Sequence, residues 1–418
     1  MTDVEIINPV PAEEAVPWAT TAFTSLLVDP FQPDFAERIE RWADEWSPER
    51  TWGARHRGRW VGTLTTLPRR LTIPDGTGGT HDESVDALSL VSVAATHRRR
   101  GLLTAMISDS LRAAKDRGDA FGALVAAEWA IYGRFGYAPA VRSADYTYYP
   151  RRQGATVAGD GAGTVRQVDP SELIDVAPAV FERARRQRAG EVDRPGGWWR
   201  RQLNVGYDKP QGPQYNWVLH EGPDGADGLL AWRVTRNFTI DGHNGGIEVP
   251  QLIATSELAY RNLWAYLGGI DVVEEITLSH RPVDEPVRWL LGDGRTLQQG
   301  YTGDYIWLTL LDVPAALSRR GYATEGRLVL DVVDESSTGY ASGRVVLDAG
   351  PDGAQCRPST ESPDLRLPAR TLAACYLGGH TLAPFRAAGQ VEELTTGATR
   401  RLDAMLATPL APACQTGF

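Results

Sequence analysis

The sequence of 418 residues predicts a mixed α/β protein of three domains, at residues 1–152, 153–296 and 297–418. Strand and helix patterns recur in a similar order in the first two segments, which indicates two related α/β domains. Small, glycine-rich stretches at 153–163 and 293–295 separate the segments. Twelve of the 13 tryptophans lie in the first two segments, so we expect an unrelated α+β fold in the third.

Hydrophobic periodicity places the elements of the first two segments. In the first, we predict a strand at 4–7, helices at 18–27 and 35–45, a hairpin over 51–71, a strand at 88–93, a helix at 101–117, and strands at 123–126 and 145–149. In the second, we predict strands at 164–168, 217–220, 229–235, 247–253 and 275–279, with helices at 171–187 and 257–268. The shared order of elements indicates a degenerate duplication.

The third segment opens on a β pattern and then alternates helix and strand signals. These signals lie at 305–308, 314–317, 326–333, 343–348, 369–376 and 398–406. The segment has no charged cluster of a catalytic type. Its last residues, 408–418, are small and proline-rich, which is typical of a frayed tail.

The charge balance restricts the partners of the protein. A net charge of -10 argues against nucleic acid, because phosphate binding needs a basic surface, and favours cationic small molecules. Only two of the 43 basic residues are lysines, Lys115 and Lys209. Mechanisms that require a reactive lysine are therefore nearly excluded.

The cysteines and the apolar segments restrict the class further. Cys356, Cys375 and Cys414 have no CxxC spacing, so we expect neither a disulfide framework nor a metal site. No stretch of 18 apolar residues occurs, and the acidic N-terminus has no basic or apolar signal region. We expect a cytoplasmic protein without a membrane span.

The most informative stretch is VSVAATHRRRGLL, residues 91–103, in which a strand leads through an arginine-glycine turn into a long amphipathic helix. Backbone N–H groups and the positive end of the helix converge on this turn, which creates an anion site. Gly101 has no Cβ to keep a pyrophosphate from the backbone, and the arginines add charge-assisted hydrogen bonds. A solvated basic helix start is the alternative, and the preceding strand argues against it.

A second motif, YGRFGY at residues 132–137, follows the next strand. Its glycines permit a tight bend after Tyr132. A phenol can protonate a leaving thiolate, because the two groups have comparable pKa values. The alternative for Tyr132 is a packed aromatic side chain without a chemical role.

Together, the two motifs resemble those of the GCN5-related N-acetyltransferase (GNAT) superfamily, which has Arg-x-x-Gly after one central strand and a tyrosine after the next. The resemblance implies acetyl-coenzyme A as co-substrate, in the wedge between these strands. Leu103 departs from the Gly or Ala that is common in the superfamily. The residues implied to contact the cofactor are Val91, Ser92, Val93, Arg98, Arg99, Arg100, Gly101, Leu102, Leu103, Thr104, Ala127 and Glu128.

Further stretches are similar to the enhanced intracellular survival (Eis) family of acetyltransferases over nearly the whole chain. They are AEWAIYGRFGYAPA at 127–140, LDVPAAL at 311–317, CYLGGH at 375–380 and the terminal phenylalanine. This resemblance implies two tandem GNAT-like domains, the second degenerate, and a C-terminal sterol-carrier-like domain. It also implies a homo-hexamer that acetylates amino groups, including those of aminoglycosides.

The family's catalytic groups are a C-terminal carboxylate as general base and a tyrosine as general acid, which the resemblance carries over to Phe418 and Tyr132. A carboxylate beside an ammonium group can accept its proton before the amine attacks. The bulky last residue would then anchor the tail in a pocket. Because no cysteine lies near the cofactor motif, we expect direct transfer in a ternary complex.

The second segment offers an internal comparison. Alignment of residues 254–256 with 95–97 places Glu257 and Tyr260 where Arg98 and Gly101 stand. An acidic residue thus replaces an arginine, and a bulky tyrosine replaces the glycine. We therefore predict that the second domain does not bind coenzyme A and instead contributes walls to the acceptor pocket.

The resemblance implies aromatic and acidic walls for the acceptor. Trp42 and Trp199 are the candidates, and an ordinary core position is the alternative for each. Ser25 and Gly417 stand where the family can have acidic residues. These departures put the aminoglycoside acceptor in question more than they do acetyl transfer.

Two other functions remain open. The acceptor can be a protein lysine or a small polyamine, or the chain can be a non-catalytic carrier that uses its sterol-carrier-like domain. The intact motifs at 98–101 and 132–137 argue against the carrier, because a decayed site would lose them first. P-loop, HExxH and GxSxG motifs are absent from the sequence, so nucleotide, zinc-dependent and serine hydrolysis are poorly supported.

Overall fold

The computed structural model describes residues 4–32, 34–43, 46–159, 161–210, 212–237, 239 and 245–418. Within these residues the strands form three sheets, two of seven strands and one of five. Two related α/β units and a C-terminal α+β unit are present, which confirms the predicted fold class.

Most strands follow the predicted alternation but are longer than predicted. The strands up to residue 148 are β1 (Val4–Ile7), β2 (Thr51–His56), β3 (Arg59–Pro74), β4 (Thr80–Val93), β5 (Phe121–Val125), β6 (Ala138–Pro139) and β7 (Arg142–Tyr148). The next are β8 (Thr164–Val168), β9 (Asn216–Gly222), β10 (Gly225–Arg236), β11 (Gly245–Ala254), β12 (Val273–Arg281) and β13 (Leu297–Asp304). The last are β14 (Ile306–Leu310), β15 (Gly326–Val333), β16 (Gly343–Gly350), β17 (Gly353–Pro358), β18 (Leu365–Pro368) and β19 (Glu392–Glu393).

The helices cover the sheets with amphipathic faces. In the first two units they are α1 (Ala15–Ser25), α2 (Phe35–Ala43), α3 (Leu102–Asp116), α4 (Trp129–Tyr132), α5 (Val176–Arg185), α6 (Gly196–Leu203) and α7 (Glu257–Gly269). In the third they are α8 (Val313–Arg319), α9 (Ala369–Cys375), α10 (Leu382–Ala387) and α11 (Ala398–Leu406). Of the helices in the described ranges, none has the length and apolarity that a membrane crossing requires.

The sheets exchange strands between the segments that the sequence separates. The first sheet has the order β1-β2-β3-β4-β5-β14-β6, and the second has the order β13-β7-β12-β11-β10-β9-β8. The third has the order β17-β16-β15-β18-β19. Strand β14 thus joins the first sheet and β7 joins the second, so the sheets do not follow the boundaries predicted at residues 152 and 296. An alternating pattern predicts a strand but does not identify its partner.

Strand β14 also divides two hydrophobic cores. Trp307 packs with Tyr132 and with Met106 of α3 on one face of the first sheet. Its neighbours Ile306 and Leu308 belong to the core shared with the C-terminal unit. Successive side chains of a strand point to opposite faces, so the first sheet lies between α3 and the C-terminal unit.

Gly136 of the second sequence motif packs closely against strand β14. Its φ is +85°, and a Cβ at this position would lie 2.8 Å from Oγ1 of Thr309 in β14. Both the left-handed backbone and the close approach therefore require glycine. The bend after Tyr132 depends on the same contact.

We expect Gly136→Ala to destabilise the fold by about 1–3 kcal/mol, because alanine would be strained and would press on Thr309. Gly133→Ala is the matched control, since Gly133 has a helical φ of -58° and open space around its Cβ position. Thermal unfolding of both variants measures the difference. Equal unfolding midpoints would contradict this account of the motif.

Candidate active site

The centre of the first sheet opens between β4 and β5. The two strands pair in parallel only from Asp86–Leu88 to Gly122–Leu124. Leu90 then takes a left-handed φ of 49° at a bulge, where the Thr63 hydroxyl donates to the Leu90 carbonyl at 2.7 Å. Beyond the bulge the strands diverge, and a cavity of about 300 Å³ lies at their ends.

All twelve residues implied to contact the cofactor line this one cavity, and Tyr132 lines it as well. The structure therefore brings the arginine turn, the end of β4 and the residues after β5 together. The sequence interpretation did not assign His97, Ile131, Arg134 or Leu26 to the wall, and it placed Ser25 only among the implied acceptor positions. Arg134 lies inside the second motif, so its place in the wall could have been inferred, whereas Leu26 follows α1 with no local signal.

The arginine turn has the backbone geometry of an anion site. Arg99 and Gly101 both have left-handed φ values, of 62° and 79°. Where left-handed residues alternate with right-handed ones, successive backbone N–H groups point to the same side. Gly101 is also the N-cap of α3, whose first N–H groups have no acceptor within the helix and whose positive end faces the cavity.

The surroundings of the turn fit a pyrophosphate. Arg98, Arg99 and Arg100 are exposed to solvent, so their guanidinium groups can move onto a bound anion. A Cβ on Gly101 would have no heavy atom within 4 Å, which means that the backbone there can be approached closely. The residues present therefore match the requirements of the acetyl-coenzyme A phosphates.

His97 is part of the same wall but is engaged by its neighbours. Its Nδ1 lies 2.8 Å from the Thr96 hydroxyl and its Nε2 lies 2.9 Å from Nδ1 of His56. Desolvation, Arg100 and His56 all lower the pKa of His97, which favours a neutral ring at pH 7. The side chain therefore braces the turn and does not face the cavity as a free base.

Tyr132 closes the inner end of the cavity. It ends α4 and is 6% exposed, and its ring packs edge-to-face with Tyr137 at a centroid distance of 6.4 Å. Burial and the neighbouring Glu128 raise the pKa of Tyr132 above its usual value. The phenol therefore keeps its proton at neutral pH.

The structure does not bring Trp199 or Phe418 to the wall of this cavity. Trp199 is 1% exposed and packs against Phe181 in the core of the second unit, so the candidate acceptor wall is a core position in this conformation. The side chain of Trp42 lies outside the described residues. Phe418 is partly buried against the core that contains Ile306 and Leu308, on the face of the first sheet opposite Trp307.

The corresponding wedge in the second sheet is narrowed by side chains of the protein itself. Strands β11 and β12 pair in parallel only at their beginnings, as β4 and β5 do. In the space beyond, Arg281 donates to the Leu252 carbonyl at 2.8 Å and to Glu285 at 2.8 Å. Tyr260 also donates to Glu285. These side chains narrow the second wedge, and the cavity of about 210 Å³ that remains is lined by them.

The arginine turn has no counterpart in the second unit. Strand β11 ends at Ala254, and α7 begins at Glu257 with Ser256 as its N-cap. The Ser256 hydroxyl accepts from the Ala259 N–H at 3.0 Å, which satisfies a group that would otherwise bind an anion. The alignment of Tyr260 with Gly101 is therefore wrong, because the whole turn is absent from this connection and not merely substituted.

The described part of the chain offers neither a metal cluster nor an ionised thiol. It contains no group of three or more His, Cys, Asp or Glu side chains that could hold a metal ion. The three cysteines are free and buried. Burial raises the pKa of Cys356 and of Cys375 to about 12, so neither is a thiolate at neutral pH.

Comparison with known proteins identifies all three units. Two families described as acetyltransferase (GNAT) domains match residues 14–140 and 190–308, and one described as a sterol carrier protein domain matches 313–415. An uncharacterized N-acetyltransferase of Streptomyces avermitilis is 36% identical over 99% of this chain and 98% of its own. The N-acetyltransferase Eis of Mycobacterium tuberculosis is 34% identical over 86% of this chain and 85% of its own. Eis1 from Mycobacterium abscessus, a crystal structure, has a TM-score of 0.83 at 28% identity and covers 99% of this chain and 100% of its own.

We expect Gly101→Ala to weaken coenzyme A binding about tenfold, because alanine at a left-handed φ costs roughly 1–2 kcal/mol and the turn must recover that conformation to bind. Gly118→Ala at the other end of α3 is the matched control, since its φ is +85° and its Cβ position is also open. Isothermal titration calorimetry gives both affinities. The wild-type titration should show one coenzyme A bound per chain. Two bound molecules per chain would contradict the prediction that the second domain does not bind coenzyme A.

Proposed function

The chain belongs to the Eis family of GCN5-related N-acetyltransferases, and we propose that it acetylates amino groups of small cationic molecules, with aminoglycosides as one acceptor class. The observation that carries this proposal is the single cavity shared by the arginine turn, the diverging strands and Tyr132. The net charge of -10 favours the approach of cations. Glu128 in the wall supplies a local negative charge.

The proposed cofactor position follows the chemistry of the wall. Acetyl-coenzyme A supplies an activated acetyl thioester. The N–H groups of residues 101–104 and the three arginines would hold its phosphates at the mouth of the cavity. Backbone groups of Val91 and Val93, which lie where β4 has left β5, would hydrogen-bond its extended arm and polarise the thioester oxygen.

Tyr132 is the proposed general acid. As the amine nitrogen forms a bond to the acetyl carbon, the carbon–sulfur bond breaks and the electron pair leaves on sulfur. The Tyr132 phenol would protonate this thiolate. The raised pKa of Tyr132 supports the role, because the group stays protonated over the physiological pH range.

The α-carboxylate of Phe418 is the proposed general base, taking the proton from the attacking ammonium. Its support is the placement of Phe418 against the core on the face of the sheet opposite α3. The cofactor would then enter beside α3, and the acceptor and base would approach from the other side. A carboxylate in this position can act directly or through one water.

Direct transfer is favoured over an acetyl-cysteine intermediate. The cavity wall contains no cysteine within the described residues, and burial raises the pKa values of the three thiols that the chain has. A thiol, unlike a thiolate, is a poor nucleophile.

We also propose, from the family resemblance, a homo-hexamer in the cytoplasm.

We expect free coenzyme A to be released from acetyl-coenzyme A when an amine acceptor is added. A thiol-release assay should compare an aminoglycoside, a polyamine and a lysine peptide at equal concentration. Preference for the aminoglycoside supports the proposed acceptor class. Faster turnover of the peptide would move the function to protein acetylation, and no release with any amine would favour the carrier.

We expect Tyr132→Phe to lower kcat by about 10²-fold or more while the affinity for coenzyme A is retained. Because the pKa of Tyr132 is raised above 10, the wild-type kcat should decline on the alkaline side only above pH 10. Steady-state rates over pH 6 to about 10.5 measure both effects. An unchanged kcat in the variant would remove Tyr132 from the mechanism.

A further inference from the structure

The last residues of the chain are held by a buried polar cluster and are not frayed. The carboxylate of Glu191 accepts from the Gln415 N–H at 2.8 Å and from the Cys414 thiol at 3.1 Å. Arg194 donates to the Thr416 hydroxyl at 2.8 Å. We call Glu191 and Arg194 the tail clamp.

Burial makes the tail clamp rigid. Glu191 is 8% exposed and Arg194 is 5% exposed, and charge-assisted hydrogen bonds are stronger in such surroundings than in water. The Arg194 guanidinium is fixed further by a bond to Gln251 at 2.9 Å and by the ring of Phe181, 4.0 Å below it. Burial lowers the pKa of Arg194 to about 10, so the group is still charged at neutral pH.

Cys414 takes part as a thiol. Burial and the nearby Glu191 carboxylate raise its pKa well above the usual value. The sulfur therefore keeps its proton and donates it to Glu191. Thr416 is 1% exposed, whereas Gly417 beyond it is exposed, so the polar contacts of the tail clamp end two residues before the terminus, and Phe418 has only its packing against the core.

Residues 414–416, which the tail clamp holds, lie beside the wedge between β11 and β12 of the second sheet. The Gln415 side chain approaches the Leu252 carbonyl at 3.5 Å, which is the carbonyl that Arg281 also contacts. Ala413 and Gln415 line a cavity of about 210 Å³ here, together with Glu191 and Arg194. The part of the second domain that corresponds to a cofactor wedge thus contacts the tail.

We propose that Glu191 and Arg194 are positioning residues for the acetyl transfer, which fix residues 414–416 so that the carboxylate of Phe418 is delivered to the acceptor amine. This inference rests on the proposed role of Phe418 as base. Two residues span at most about 7 Å. Anchoring Thr416 therefore confines the carboxylate to a small volume, whereas a loose tail would rarely present it.

The test is Thr416→Val, which removes the acceptor of Arg194 with little change in shape. We expect kcat to fall about tenfold, with an unchanged KM for acetyl-coenzyme A and a slightly lower unfolding midpoint, because the buried Arg194 N–H loses its acceptor. Thr416→Ser, which keeps the hydroxyl, should restore kcat. Thr408→Val is the matched control, because the Thr408 hydroxyl donates within the tail, to the Leu410 carbonyl at 2.9 Å, and the kcat of this variant should equal that of the wild type.

A second variant tests the other residue of the tail clamp. Glu191→Gln retains the size of the side chain but loses the charge that holds the Gln415 N–H and the Cys414 thiol, so kcat should again fall with KM retained. A wild-type kcat in both Thr416→Val and Glu191→Gln would overturn the inference. Loss of kcat that Thr416→Ser does not restore, or an equal loss in Thr408→Val, would show a structural anchor only.

Deletion of Phe418 separates this inference from the proposed base. If the deletion abolishes turnover while Thr416→Val turns over like the wild type, the carboxylate matters and the tail clamp does not. If the deletion leaves kcat unchanged, the proposed base itself fails. Loss of kcat in both, with coenzyme A affinity retained in both, is the result expected.

Discussion

The parting of β4 from β5 is the constraint on which the candidate site depends. Parallel pairing ends at Leu88 and Leu124, and the bulge at Leu90, tied by Thr63, keeps β4 on its new course. The backbone groups beyond the bulge are then free for a ligand, and the turn that follows is carried to the mouth of the opening. The arginine turn and Tyr132 act on one cavity only because the strands that carry them diverge.

The same parting has opposite outcomes in the two GNAT domains. In the first, the connection from strand to helix is long enough for three arginines and a left-handed glycine. In the second, only two residues separate the strand from the helix, with Ser256 as its cap, and Arg281 bonds to the strand across the gap. One architecture therefore carries the arginine turn at its cavity in one copy, whereas in the other its narrowed wedge contacts the C-terminal segment.

The sequence predicted what depends on local pattern and not what depends on distant partners. The arginine turn and the tyrosine motif were recognisable because each is a contiguous stretch with its own geometry, and the twelve residues implied to contact the cofactor line one cavity with Tyr132. The exchange of β7 and β14 between sheets was missed, since alternation does not specify pairing. The tail clamp was also missed, because Glu191 and Gln415 are 224 residues apart and neither has a local signal. Trp199 was misplaced because a buried aromatic in a core and one in a binding wall have the same appearance in a sequence.

The position of β14 in the first sheet determines when that sheet can be completed during translation. The strand completes the first sheet between β5 and β6, yet it is translated after the entire second domain. The ribosome adds about 5–20 residues per second, so the first GNAT domain waits roughly 8–40 seconds after β5 emerges for its missing strand. Until then, β5 has an open edge of the kind that attracts other chains. The nascent enzyme therefore has an interval in which protection by a chaperone would be of most use.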